Sequence, residues 1–184
     1  MRRNFGAKPF LYPQPVFIIA TYNDDGTADA MNAAWGGISD SNQITMCISA
    51  THRTTKNVLT RGAFTVSMGT ADTVAACDYV GLVSGEKEPA KLEKAGFHPV
   101  KSEFVDAPLI AELPMAVECR LVSYDPESCR MVGEIVNVCA EEGVLTDGKV
   151  DPAKLRPITF DGQNNTYLVL GEKVGDAFSD GLHL

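Results

Sequence analysis

The densest group of residues able to do chemistry lies in Thr51-His52-Arg53-Thr54-Thr55-Lys56. Three hydroxyls and two fixed cations within six positions can direct several charge-assisted hydrogen bonds at one anion. The preceding run alternates, with Ile44, Met46 and Ile48 on one face and Thr45, Cys47 and Ser49 on the other. That period is a half-buried strand with the first set turned inward. Beyond the turn, Val58 and Leu59 predict the buried side of a short helix, with Thr54 or Thr55 as N-cap and Gly62 as its stop. A helix start offers unpaired N–H groups and a partial positive charge, which suits a phosphate dianion. A solvated strand-to-helix turn is the plain alternative.

A second group is defined by what it lacks. The segment Ala28–Gly37, ADAMNAAWGG, holds mostly small residues, one asparagine and the only tryptophan. Small residues in a strand sacrifice packing and mark places of close approach. Asn32 and neighbouring amides could bond the polar edge of a planar ring, with Ala33, Ala34 and Trp35 bordering it. A strand end entering a glycine loop, with Trp35 as a core aromatic, accounts for the same composition. If the chain is a meander, the two groups lie on neighbouring strands and can serve one ligand, a ring at one end and a phosphate at the other. Flavin mononucleotide (FMN) has that form, as does pyridoxal phosphate. The latter needs a lysine beside the ring, and none is near Trp35.

The elements that must position these groups follow from the pattern. Val16 to Tyr22 is a strand, and Asn23-Asp24-Asp25-Gly26 a hairpin turn leading into a second strand to Trp35. Ala63 to Met68 is another strand, with Phe64, Val66 and Met68 on one side. Asp72 is expected to cap a helix to about Val83, and a short helix after Pro89 carries Lys91 and stops at Gly96. Met115 to Tyr124 and Met131 to Ala140 form a strand pair, the latter with Val132, Val136 and Val138 on one face. Asn165 to Leu170 is a late strand. Strands outnumber helices and are joined by turns, so an antiparallel sheet or barrel with helical insertions is expected, as one domain over 1–184.

Composition narrows the partners. A chain of 184 residues with 45% hydrophobic content has room for a sizeable core. Its net charge of −8 disfavours a nucleic-acid partner, whereas a small phosphate needs only a local cation pair. No apolar run reaches membrane-span length, and the opening MRRNFGAKPFLYPQP does not read as a signal peptide. The five cysteines are odd in number and form no C-x-x-C pair, so neither a zinc site nor a redox dithiol is favoured. Cys47, Cys119 and Cys139 fall in strands, where a small core role is usual. Reduced thiols point to the cytosol.

The whole chain resembles the flavin reductase-like, FMN-binding split-barrel family, closest to its flavoredoxin branch. The resemblance is carried by NAAWGG at Asn32, SATHRTTKN at Ser49, CDYVGLVSGEKEPAKLEKAGF at Cys77, MAVECRL at Met115, GEIVNV at Gly133 and YLVLGEKVGDAFSDG near the end. It implies a six-stranded antiparallel split β-barrel of Greek-key type, mainly β with short helical insertions, that binds FMN as a homodimer. Carried over by position, Asn32, Ala33, Ala34 and Trp35 would border the isoalloxazine, and Ser49 and Ala50 would follow the ribityl chain. Arg53, Thr54, Thr55 and Lys56 would take the phosphate together with Lys91, and Phe160 would touch the ring. Reductases of this superfamily that use NAD(P)H carry Gly-Asp-His where this chain has Pro126, Glu127 and Ser128. Two functions therefore stand: an FMN-dependent flavin or ferric reductase, and an electron carrier between protein partners. A non-redox binding module of the same fold is a third, in which the purified protein would hold no flavin.

Overall fold

The computed structural model describes residues 1–183. The first hairpin joins β1 (Phe17–Tyr22) to β2 (Ala28–Ala33) through a turn at Asn23, where Gly26 takes a φ of 81°. A second joins β3 (Gly36–Asp40) to β4 (Gln43–Cys47). Then follow α1 (Arg53–Arg61), β5 (Ala63–Met68), α2 (Val74–Leu82) and α3 (Lys91–Ala95). A small ribbon of β6 (Pro99–Lys101) and β7 (Pro108–Ile110) precedes the long hairpin of β8 (Met115–Asp125) and β9 (Arg130–Ala140). Last come β10 (Leu145–Thr146), β11 (Lys149–Val150), α4 (Pro152–Leu155), and a hairpin of β12 (Ile158–Asp161) and β13 (Thr166–Val169).

Seven strands make the main sheet, antiparallel in the order β2-β1-β5-β8-β9-β4-β3. Its concave side encloses one cluster drawn from five strands, including Ile19, Ile44, Met46, Phe64, Val117 and Met131, and a flat sheet could not bring those together. Gly133 makes room for the Phe64 ring, since a Cβ there would stand 2.4 Å from its Cζ. On the outer face of β1 and β2 a second cluster, with Ile18, Ala30, Cys77, Val80 and Leu92, packs α2 and α3 against the sheet. Burial on both faces explains why β1 reads FIIATY without alternation. The architecture is a mainly-β split barrel with short helices, as expected.

The strand count is seven, not six. The chain bends at Ala34 and Trp35, so the stretch that reads as one strand from Thr27 to Trp35 ends at Ala33 and resumes as β3. The two pieces occupy opposite edges of the sheet, and β2 and β4 are not hydrogen-bonded neighbours. The simple meander is therefore wrong. The bend itself sets β4 beside the end of β2, since Trp35 O accepts from Cys47 N at 2.8 Å as the last rung of the β3–β4 hairpin. Curling brings the two sheet edges together, a Cβ on Gly36 lying 3.1 Å from the Phe17 ring of β1.

Local expectations divide along similar lines. Gly62 and Gly96 stop α1 and α3 in the left-handed conformation. The N-cap position of α1 is His52, without a side-chain cap bond, while Thr54 and Thr55 are buried inside the helix. Leu59, expected inside, is 48% exposed; Thr54, Thr55, Asn57 and Val58 form the buried side instead. At α2 the N-cap position is Thr73, and Asp72 instead pairs with Arg156 Nη1 at 2.7 Å. The β8–β9 register skips Val136, so Val132 and Val138 do not share a face. Cys119 is a core residue as expected and Cys139 half-buried, but Cys47 is exposed.

Candidate functional site

The bend between β2 and β3 forms a shelf. Ala33 and Ala34 are half-buried and Trp35 is 56% exposed, so Trp35 is not a core aromatic. Asn32 Nδ2 donates to Cys77 O at 3.0 Å, tying the shelf to α2. The small residues have a packing role as well: a Cβ on Gly81 of α2 would come within 2.8 Å of Asn32 Cβ. Over Asn32, Ala33 and Ala34 opens a cavity of about 200 Å³ whose far wall holds Asp78, Phe160 and Tyr167. Phe160 and Tyr167 lie 5.9 Å apart between ring centroids, and Tyr167 Oη donates to Asp78 Oδ1 at 2.7 Å. Burial, then the carboxylate of Asp78, pushes the Tyr167 phenol up to about 12, so it remains a donor at neutral pH. Asp78 and Tyr167 fall within motifs that carry the family resemblance, but nothing local assigns them to the site, because β13 reaches α2 only through the tertiary fold.

Ala34 also borders a larger groove of about 560 Å³. Trp35, Thr45, Cys47, Ser128 and Arg130 line it, and the proline-rich arm closes one side. The polar face of β4 thus turns toward this groove, while Ile44, Met46 and Ile48 are at most 3% exposed in the core. At its rim, Glu127 N and Ser128 Oγ donate to the Asp125 carboxylate at 3.0 and 2.6 Å, closing the Pro126-Glu127-Ser128 turn. A hydroxyl, not an imidazole, stands at this position.

Where β4 runs into α1 the anion-friendly groups assemble. Ser49 Oγ and Thr51 Oγ1 lie 3.0 Å apart, and the N-cap residue of α1, His52, makes no side-chain bond to the first turn. Lys56 Nζ pairs with Glu86 Oε1 at 2.8 Å, each side chain more than half exposed. Such a pair is weak, and an incoming dianion can take the lysine from it. Arg53 bridges two segments, with Nε donating to Asn23 Oδ1 at 2.7 Å and Nη1 to Gly85 O at 3.1 Å. The other matched residues turn inward: Thr54 Oγ1 donates to Asp29 Oδ2 at 2.7 Å, and Thr55 Oγ1 to Ser49 O at 2.8 Å. Lys91 Nζ lies 2.9 Å from Asp29 Oδ1, both side chains at most 4% exposed. Two cations, the Ser49–Thr51 hydroxyl pair and the uncapped N–H groups of α1 form a donor set that fits a phosphate.

A curled antiparallel barrel with a shelf of small residues at its seam and an uncapped helix start beside it is a split barrel with a candidate ligand site. The family model described as Flavin reductase like domain matches residues 10–157, and the chain belongs to the flavin reductase-like family, on its flavoredoxin branch. It is 36% identical to the flavoredoxin of Desulfovibrio vulgaris (Miyazaki F), over 98% of this chain and 100% of that one, with a TM-score of 0.94. To the flavoredoxin of Methanosarcina acetivorans it is 28% identical, covering 98% and 96%, with a TM-score of 0.85. The fold is shared with an FMN-binding domain of a flavin reductase-like enzyme from Shewanella baltica OS155, at 19% identity, coverage of 89% of each chain and a TM-score of 0.78.

Proposed function

We propose that this chain is an FMN-binding oxidoreductase that passes electrons from a reduced donor to an acceptor, which is a flavin, a ferric complex or a protein. The observation that carries the reading is the 2.8 Å bond from Cys47 N to Trp35 O, which joins the shelf to the strand that feeds α1. A ring and a phosphate of one ligand can then be met by one continuous surface. Asn32, Ala33, Ala34 and Trp35 border the isoalloxazine, with Phe160 opposite. Ser49 and Ala50 follow the ribityl chain. Arg53 and Lys56, with the first-turn N–H groups of Thr54 and Thr55, hold the phosphate. FMN would supply the redox chemistry; the side chains bind it and limit access to it.

The cleft outward of Arg53 and Lys56 favours FMN over FAD. Asp24, Asp25 and Glu86 line it, so a second phosphate would meet carboxylates. The five cysteines are unpaired, which suits a reducing cytosol. The donor is NAD(P)H or a redox protein, and the molecule works as a homodimer.

Purified protein should carry FMN. Lys56→Ala should weaken FMN binding about tenfold, the low end for a charge-assisted bond because Lys56 is exposed. Unchanged affinity would remove the phosphate assignment. A second reading, an electron carrier that does not take hydride from NAD(P)H, is favoured by Ser128 at the groove rim in place of histidine. Anaerobic mixing with NADH or NADPH separates the two: rapid bleaching of the flavin supports the reductase, and none within minutes supports the carrier.

A further inference from the structure

Asp29 is the point where the phosphate end is assembled. This β2 carboxylate is 2% exposed and has both oxygens engaged: Oδ1 with Lys91 Nζ at 2.9 Å, Oδ2 with Thr54 Oγ1 at 2.7 Å. Gly85 lies against it so closely that a Cβ there would stand 2.4 Å from Oδ1, and Gly85 O accepts from Arg53 Nη1 at 3.1 Å. Lys91 Nζ also reaches Val83 O at 3.4 Å. One carboxylate on a sheet edge therefore fixes two segments far apart in sequence, the first turn of α1 and the loop from Val83 to Lys91.

We propose that Asp29 is the positioning residue of the phosphate site, holding the start of α1 through Thr54 and the Val83–Lys91 loop through Lys91 so that the two face one anion. The inference rests on the FMN reading above and assigns Lys91 a role behind the phosphate, through Asp29. Two physical consequences make the arrangement suitable. The ion pair cancels the Asp29 charge, which would otherwise repel a dianion bound at the start of α1. A buried carboxylate with no spare oxygen also fixes both segments at once, so donors need not reorganise when the ligand arrives.

Removing Asp29 would leave Lys91 buried without a counter-charge, a change that can unfold the chain by itself. The informative variant is Thr54→Val, which keeps the shape and deletes only the Oδ2 bond, with Thr54→Ser as the conservative rescue. The readout is the preference for FMN over riboflavin, the ratio of their dissociation constants, measured by quenching of flavin fluorescence. Thr54→Val should lower that preference about tenfold, the low end of what a hydrogen bond to a charged group is worth, and Thr54→Ser should restore it. Gly85→Ala, pressing on Asp29 from the other side, should lower it as well. An unchanged ratio in Thr54→Val and Gly85→Ala overturns the positioning role while leaving the FMN reading in place. Equal weakening of both ligands, with a lowered melting temperature, also overturns it, because Asp29 then serves the fold alone. A wild-type protein that binds riboflavin as tightly as FMN sinks the phosphate reading itself.

Discussion

Among the five cysteines, environment separates residues that look equivalent in the sequence. Burial pushes the Cys119 thiol up to about 12, and raises Cys77 and, with help from the nearby Glu118 carboxylate, Cys139. These three stay protonated at neutral pH and are poor nucleophiles. Cys47 is accessible, because β4 presents it outward to the groove, where its Sγ donates weakly to Ser128 O at 3.6 Å. Iodoacetamide at pH 8, followed by peptide mass mapping, should label Cys47 in the native protein. Cys77 and Cys119 should react only after denaturation, and early labelling of either would contradict the burial. Alternation along Ile44 to Ser49 already placed Cys47 on the outer face; the general habit of cysteines to be buried pointed the wrong way.

At the scale of elements, the proline-rich arm and the β12–β13 hairpin form one unit. Gln14 N donates to Thr159 Oγ1 and Phe160 N to Gln14 O, each at 2.8 Å, and the Tyr12 hydroxyl donates to Asp161. That bond, with another from the Asn164 amide, lowers the Asp161 carboxyl to about 2 from an ordinary 3.8. A carboxyl depressed in the folded state stabilises it at pH above the unfolded value and loses that contribution as pH falls. Wild-type protein should therefore lose melting temperature between about pH 4 and pH 2 more steeply than Asp161→Asn. Parallel curves would show that the contact does not matter in solution. Phe160 sits on this hairpin, so the arm also steadies one wall of the shelf cavity. Gly62 and Gly96 made two helix ends legible, because a glycine that must turn left-handed is a local requirement. The start of α1 was not legible, because Thr54 and Thr55 spend their hydroxyls on Asp29 and on Ser49 O, and no local rule names those partners.

At the scale of the whole molecule, several large apolar side chains face outward. Trp35 is 56% exposed, Ile38 68% and Val122 55%. Exposed apolar area of this kind marks association surfaces, in keeping with the proposed homodimer. Light scattering should give twice the mass of one chain, and Ile38→Glu should shift it toward one. A wild-type protein of single-chain mass would overturn the dimer. Read alone, the sequence determined the strand-rich class, the hairpin at Asn23, the inward set Ile44, Met46 and Ile48, and the residue types suited to a ring and a phosphate. These are properties of period, turn chemistry and functional-group type, all written locally. Only the tertiary structure decided that the β3 edge curls back toward β1, that Tyr167 and Asp78 wall the shelf cavity, and that Asp29 neutralises Lys91. Each of those depends on contacts between segments tens of residues apart, and the sheet order that makes them is set by packing around the common core.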